Sequence, residues 1–226
     1  MSLRGSCDNG LKRPKMHRID RKIAEKIIGD DEYSKKAIDL ILKNSRNGII
    51  KLKSLNSDDF EVFLTLTHFK LALPLNSIND SLSWNSRILS SNTSKLEIPN
   101  IIRFIFSEIS EKGEAKLEDA IIRYFKKIGE KNAEDFVKIV QKIFGEVENF
   151  LVCGNTITKI CHKYGRDGGV VISELKGAGI ISPFSGCGNS FQAYGKRYGS
   201  PVYEVNRFIY EVLKVDQVKV DQVRSI

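Results

Sequence analysis

Apolar residues in this chain recur at helical spacing, but each run is closed within a few turns by glycine or proline. Ile19, Ile23 and Ile27 stop at Gly29-Asp30-Asp31, and Ala37, Ile38, Ile41 and Leu42 stop between Asn44 and Gly48. Phe60, Phe63, Leu64 and Phe69 follow an N-cap region at Ser57-Asp58-Asp59 and end at Pro74. Pro99 opens the face Ile101, Ile102, Ile105, Phe106 and Ile109, closed by Gly113; Leu117, Ile121, Ile122, Tyr124 and Phe125 are closed by Gly129. A chain punctuated in this way builds from many short amphipathic helices. A bilayer-spanning helix, which needs about 20 consecutive apolar residues, is excluded. Gly48-Ile49-Ile50-Lys51-Leu52-Lys53 alternates enough to predict one short strand.

Between these runs, composition marks the organisation. Residues 1–17 carry Arg4, Lys12, Arg13 and Lys15 among Gly5, Gly10 and Pro14 without apolar periodicity, and read as a flexible basic arm. Residues 18–75 read as an N-terminal helical domain. The stretch from Asn76 to Lys95 holds seven Ser and four Asn, so 76–98 reads as a linker, with Trp84 pinning it to the nearest core. Residues 99–226 form the rest. Within them Phe136, Val140, Ile143, Val147 and Phe150 make a two-heptad apolar seam on a helix over 132–151, which can dimerise two chains or pack into its own core.

From Thr156 the pattern changes. A short amphipathic helix to Tyr164 points Ile157 and Ile160 inward, Gly165-Arg166-Asp167 turns, and a second helix from Gly168 to Lys176 has Val171, Ile172 and Leu175 as core positions. Two short helices across a glycine-containing turn are helix-turn-helix geometry, with the second helix free to enter a major groove. Leu175-Lys176-Gly177-Ala178-Gly179-Ile180-Ile181-Ser182-Pro183 then resembles the passage from recognition helix to first wing strand, Gly179 supplying the left-handed cap. Ser200-Pro201-Val202-Tyr203-Glu204-Val205 resembles the returning strand. The stretch from Asn149 to Leu213 thus resembles a winged helix-turn-helix DNA-binding domain of archaeal type, in keeping with an Ile-, Lys- and Asn-rich composition. The fold expected is mostly α: an N-terminal helical unit, a helical middle, and a C-terminal winged helix with a short β-hairpin wing.

The resemblance implies double-stranded DNA as partner and a role as a transcriptional regulator or replication-associated factor; the alternative it allows is a protein-interaction module in such a complex. The outward positions of the second helix would be Arg166, Asp167, Gly169, Ser173 and Lys176, with Lys159 and Lys163 on the preceding helix near the DNA backbone, and Tyr194, Lys196, Arg197 and Tyr198 at the wing tip. The second helix has Glu174 and no Arg, Asn or Gln inside it, so backbone and wing contacts, rather than bidentate base reading, would dominate. Charge agrees in placement. Of the net +8, residues 1–75 carry 15 − 10 = +5, residues 76–152 carry 11 − 12 = −1, and residues 153–226 carry 10 − 6 = +4.

No P-loop, dinucleotide-binding glycine pattern, zinc-protease motif or nucleophile elbow occurs, so the chain is not expected to be an enzyme and no cofactor is implied. The carboxylates of Asp30-Asp31-Glu32 and Asp58-Asp59 sit at helix starts, where they read as caps. Cys153, Cys161, His162 and Cys187 lack the close pairs of a zinc site, and adjacent Cys161 and His162 would point apart on a helix, so no metal is expected. His68 reads as a core-edge histidine. Without a secretory pattern, the expected location is cytoplasmic, with no membrane partner.

Overall fold

The computed structural model describes residues 17–52, 57–76, 83–184 and 200–214. In chain order these form β1 (Arg18–Asp20), α1 (Arg21–Ile28), α2 (Glu32–Asn44), β2 (Ile49–Lys51), α3 (Ser57–His68), β3 (Leu73–Pro74), a 3-10 turn (Trp84–Ser86) and β4 (Lys95–Glu97). Then come α4 (Asn100–Lys112), β5 (Glu114–Lys116), α5 (Leu117–Lys127), α6 (Glu134–Gly145), β6 (Leu151–Cys153), α7 (Gly154–His162), α8 (Gly168–Ala178), β7 (Ile181–Pro183) and β8 (Val202–Val205). Residues 207–214 form a last helix, α9.

The helix boundaries follow from the punctuation. Asp20 and Asp31 accept from the backbone N–H of Ile23 and Ser34, at 2.8 and 2.6 Å, and so cap α1 and α2. The hydrogen bond from the Ser34 N–H holds the Asp31 carboxyl below its ordinary range. Gly113, at φ 82°, closes α4 by returning its N–H to the Ile109 carbonyl.

The expectation of a mostly α fold holds in part: the fold is helix-rich but mixed, with three small antiparallel sheets among the described residues. β1 pairs with β5, β2 and β3 flank β4, and β6 and β7 flank β8. Strands this short leave no alternation for a sequence reading to find, and only β2 lies where alternation predicts it.

Residues 18–75 and 76–98 are tied to each other and to later elements. β4, at the C-terminal end of 76–98, is the central strand of its sheet, pairing Leu96 with both Ile50 and Pro74. Trp84 is buried. β1 pairs with β5 across the expected boundary, Arg18 opposite Lys116. One continuous core runs from Ile19 to Val212, and Phe106 meets Phe208 across it at 5.6 Å. Residues 18–75 therefore pack on one another and share one core with the later helices.

The seam expected on a helix over 132–151 packs largely within the chain. Phe136, Val140 and Ile143 are fully buried, Phe136 stacks on Phe125 at 3.6 Å, and Val147 and Phe150, partly buried, pack on the same core. The expected basic arm, residues 1–16 in particular, lies outside the described residues.

Asn206, fully buried between β8 and α9, ties the parts together. Its amide donates to the carbonyls of Lys70 and Gly179, at 3.0 and 3.2 Å, while its oxygen caps α9 by accepting from the Ile209 N–H. Beside it, Glu204 receives Lys70 at 3.3 Å and Arg207 at 3.2 Å. A buried carboxylate between two cations from opposite ends of the chain fixes the C-terminal elements against the end of α3.

Candidate nucleic-acid interface

The C-terminal elements arise in the order β6, α7, α8, β7, β8, with α6 packed on α7 and the last strand in the middle of the sheet. The register puts Val152 opposite Tyr203 and Ile181 opposite Val205. α7 and α8 approach closely because Gly168 has no side chain: a Cβ there would lie 2.6 Å from Thr158 Oγ1. Asp167 caps α8 by accepting from the Val170 N–H at 2.9 Å, and Gly179, at φ 75°, turns the chain into β7.

One face of α8 stays open. Val171, Ile172, Leu175 and Ala178 are buried, whereas Gly169, Val170, Ser173, Lys176 and Gly177 are exposed, Val170 by 56%. The Ser173 hydroxyl turns back to the Gly169 carbonyl at 3.0 Å. Lys159 on α7 and Lys163 just after it are exposed too. Of the residues expected on this side, Gly169, Ser173, Lys176, Lys159 and Lys163 are exposed; Val170 and Gly177 join them. Tyr194, Lys196, Arg197 and Tyr198 fall in 185–199, outside the described residues.

Arg166, expected among the outward positions, is engaged within the chain. It donates to Glu130 at 2.7 Å and to the Asn132 carbonyl at 3.0 Å, and its guanidinium lies 4.4 Å from the centre of the Phe136 ring. With its head held against the turn before α6, it fastens the α7–α8 turn to the core and is not offered outward. No spacing in the sequence signals this, because Glu130 precedes it by 36 residues.

Glu174, which a sequence reading places as an unwanted negative charge on the second helix, is turned partly inward beside Glu130. Burial, and then the neighbouring Glu130 carboxylate, push its pKa up to about 7, while the hydrogen bond from Arg166 keeps Glu130 below its ordinary range. Because the folded-state pKa is raised from 4.5, the stabilisation from protonated Glu174 is complete below pH 4.5 and is lost as pH climbs to about 7. Glu174→Gln should flatten the melting temperature over that window relative to the parent, as thermal melts at stepped pH will show. Parallel profiles for the two proteins would refute the assignment.

The open face of α8 adjoins a groove of about 430 Å3, whose far wall is built by N-terminal residues. Ser173 and Lys176 line it from α8; Trp84, Arg87 and Asn100 line it from the other side. The two walls are joined where the Ser83 hydroxyl donates to the Pro183 carbonyl at 2.7 Å, the Trp84 N–H donates to Ser182 Oγ at 3.0 Å, and the Asn100 amide donates to the Gly177 carbonyl at 2.9 Å. A reading confined to the helix-turn-helix misses Arg87 and Asn100, since only the tertiary fold brings them to α8. Cys161 is buried and His162 exposed, so the adjacent pair diverges as helical geometry requires.

A protein-family model matches residues 22–216, a span that begins in α1 and passes α9. The chain belongs to that family. Its match takes in both three-stranded sheets, so the N-terminal elements and the α7–α8 unit form one family unit. No curated protein and no solved structure matches the chain. Among the described residues, no helix is long and apolar enough to cross a membrane.

Proposed function

We propose that the chain is a DNA-binding protein, a transcriptional regulator or replication-associated factor, whose C-terminal unit is a winged helix-turn-helix presenting α8 to the duplex. The observation that supports this best is the exposed face of α8, Gly169, Val170, Ser173 and Lys176, projecting from a helix pair held on a β6-β8-β7 sheet with Lys159 and Lys163 alongside. The lysines suit phosphates, the glycines admit a close approach of the helix backbone, and the Val170 methyls suit a thymine methyl. Such a face reads shape and backbone more than base identity, and the segment between β7 and β8, carrying Lys196 and Arg197, adds wing contacts.

The test is a salt titration of affinity for duplex DNA. Affinity should fall linearly on a log–log scale with salt, with a slope of about 0.9 per phosphate contact. Replacing Lys159, Lys163 and Lys176 together by Ala should reduce that slope by about 2 to 3, and Lys196→Ala with Arg197→Ala should weaken binding on every sequence. Salt-independent binding, or an unchanged slope in the triple variant, would remove α8 from the interface. A protein partner on this same face is the second reading, favoured by the exposure of Val170; it predicts no DNA affinity and loss of partner binding on Val170→Asp.

A further inference from the structure

Away from α8, a second groove of about 620 Å3 runs between the C-terminal half of α3 and the stretch that follows Trp84. Its rim is apolar and exposed: Leu64 is 39% accessible and Ile88 55%. Lys70, Arg87 and Arg207 also line it, together with His68, and no carboxylate is among its described lining residues. Of the acids that serve these cations, Glu204 is buried, whereas Glu97 is half exposed. Glu97 takes Arg87 at 3.1 Å, while the single carboxylate of Glu204 is shared by Lys70 and Arg207. The local charge is therefore positive by one even after pairing. The same field, after burial, helps hold His68 below its ordinary pKa through Arg207 and Lys70.

We propose that this groove docks an acidic amphipathic segment of a partner protein, its apolar side chains on Leu64 and Ile88 and its carboxylates on the part-exposed guanidinium of Arg207. The paired signals argue for this occupant. Phosphates would answer the cations but leave the exposed leucine and isoleucine unused, whereas an amphipathic acidic helix answers both. The inference does not depend on DNA binding at α8.

Trp84 is the chain's single tryptophan and lines the groove, so its emission reports occupancy. The probe is a synthetic peptide of about 16 residues with Leu and Phe on one helical face and Glu on the other. The expected result is a saturable change in Trp84 emission, at least tenfold weaker when the peptide's Glu residues become Gln or when Ile88→Asp or Leu64→Asp is introduced. Both substituted positions are exposed, and circular dichroism will verify that each variant is folded. Proton NMR should show the His68 titration moving to higher pH on binding, a shift that an unspecific apolar contact does not cause. The proposal is overturned by no saturable change, by equal binding of a Lys-for-Glu peptide, or by indifference to both substitutions in folded protein. It is overturned too where duplex DNA displaces the peptide and Ile88→Asp abolishes DNA binding, because the groove then belongs to nucleic acid.

Discussion

Glu204→Ala should destabilise the protein by about 3–5 kcal/mol, the range found when one partner is removed from a buried ion pair. The Glu204 side chain is only 5% exposed and is the shared acceptor for Lys70, itself 11% exposed, and for Arg207. Its loss leaves two cations facing each other with no acid between them. Lys70 already sits below its ordinary pKa because burial outweighs the support of Glu204. In the variant that support is gone, so the lysine is depressed further. A depressed lysine destabilises the fold while charged and is relieved as pH rises toward the unfolded-state value of 10.5, so the deficit should shrink at alkaline pH. Urea denaturation of the parent and variant at stepped pH will measure this. A double variant, Lys70→Met with Glu204→Leu, removes the two buried charges, leaves only the part-exposed Arg207 without its acid, and should recover much of the loss. A cost below about 1 kcal/mol for the single variant, the level of a solvent-exposed pair, would show that water reaches the cluster freely.

That cluster also shows where the sequence stops being legible. Helices were readable wherever glycine or proline closed an apolar face: Gly29 separates α1 from α2, Gly113 ends α4, and Gly165 and Gly179 bracket α8, because each break is a local property of the chain. The open positions of α8 were readable for the same reason, since Val171, Ile172 and Leu175 fix the buried side and leave Ser173 and Lys176 on the other. Strands of two or three residues carry no period, and their pairing depends on distant partners, as when β1 finds β5. The contacts of Arg166 show no local signal, because Glu130 and Phe136 reach it from the region of α5 and α6. The middle strand of the β2-β4-β3 sheet, Lys95–Glu97, begins where the Ser- and Asn-rich stretch ends, so polar composition gives no hint of it.

The joint between α8 and α4 bears on function most directly, and two glycines separate its contributions. Gly165 and Gly179 both have left-handed backbone, at φ 66° and 75°. A Cβ on Gly165 would meet nothing within 4 Å, whereas one on Gly179 would lie 2.5 Å from Pro99 Cβ. Gly165→Ala should therefore cost only the left-handed conformation, about 1–2 kcal/mol. Gly179→Ala carries the same conformational cost plus that of overpacking, about 1–3 kcal/mol more. The additional strain has a direction: it pushes the end of α8 from the first residue of α4, where the Asn100 amide holds the Gly177 carbonyl, and it disturbs the Gly179 carbonyl that accepts from Asn206. Lys176, one turn before the joint, shifts with it. On the proposed DNA-binding function, Gly179→Ala should therefore lower DNA affinity even at temperatures where the variant is fully folded, while Gly165→Ala destabilises without that extra loss. Chemical denaturation gives the two stabilities, and DNA titration below both melting points gives the two affinities. Equal destabilisation by the two substitutions would mean that Pro99 yields without cost. Unequal destabilisation with equal affinity would mean that the placement of α8 against α4 has no part in binding.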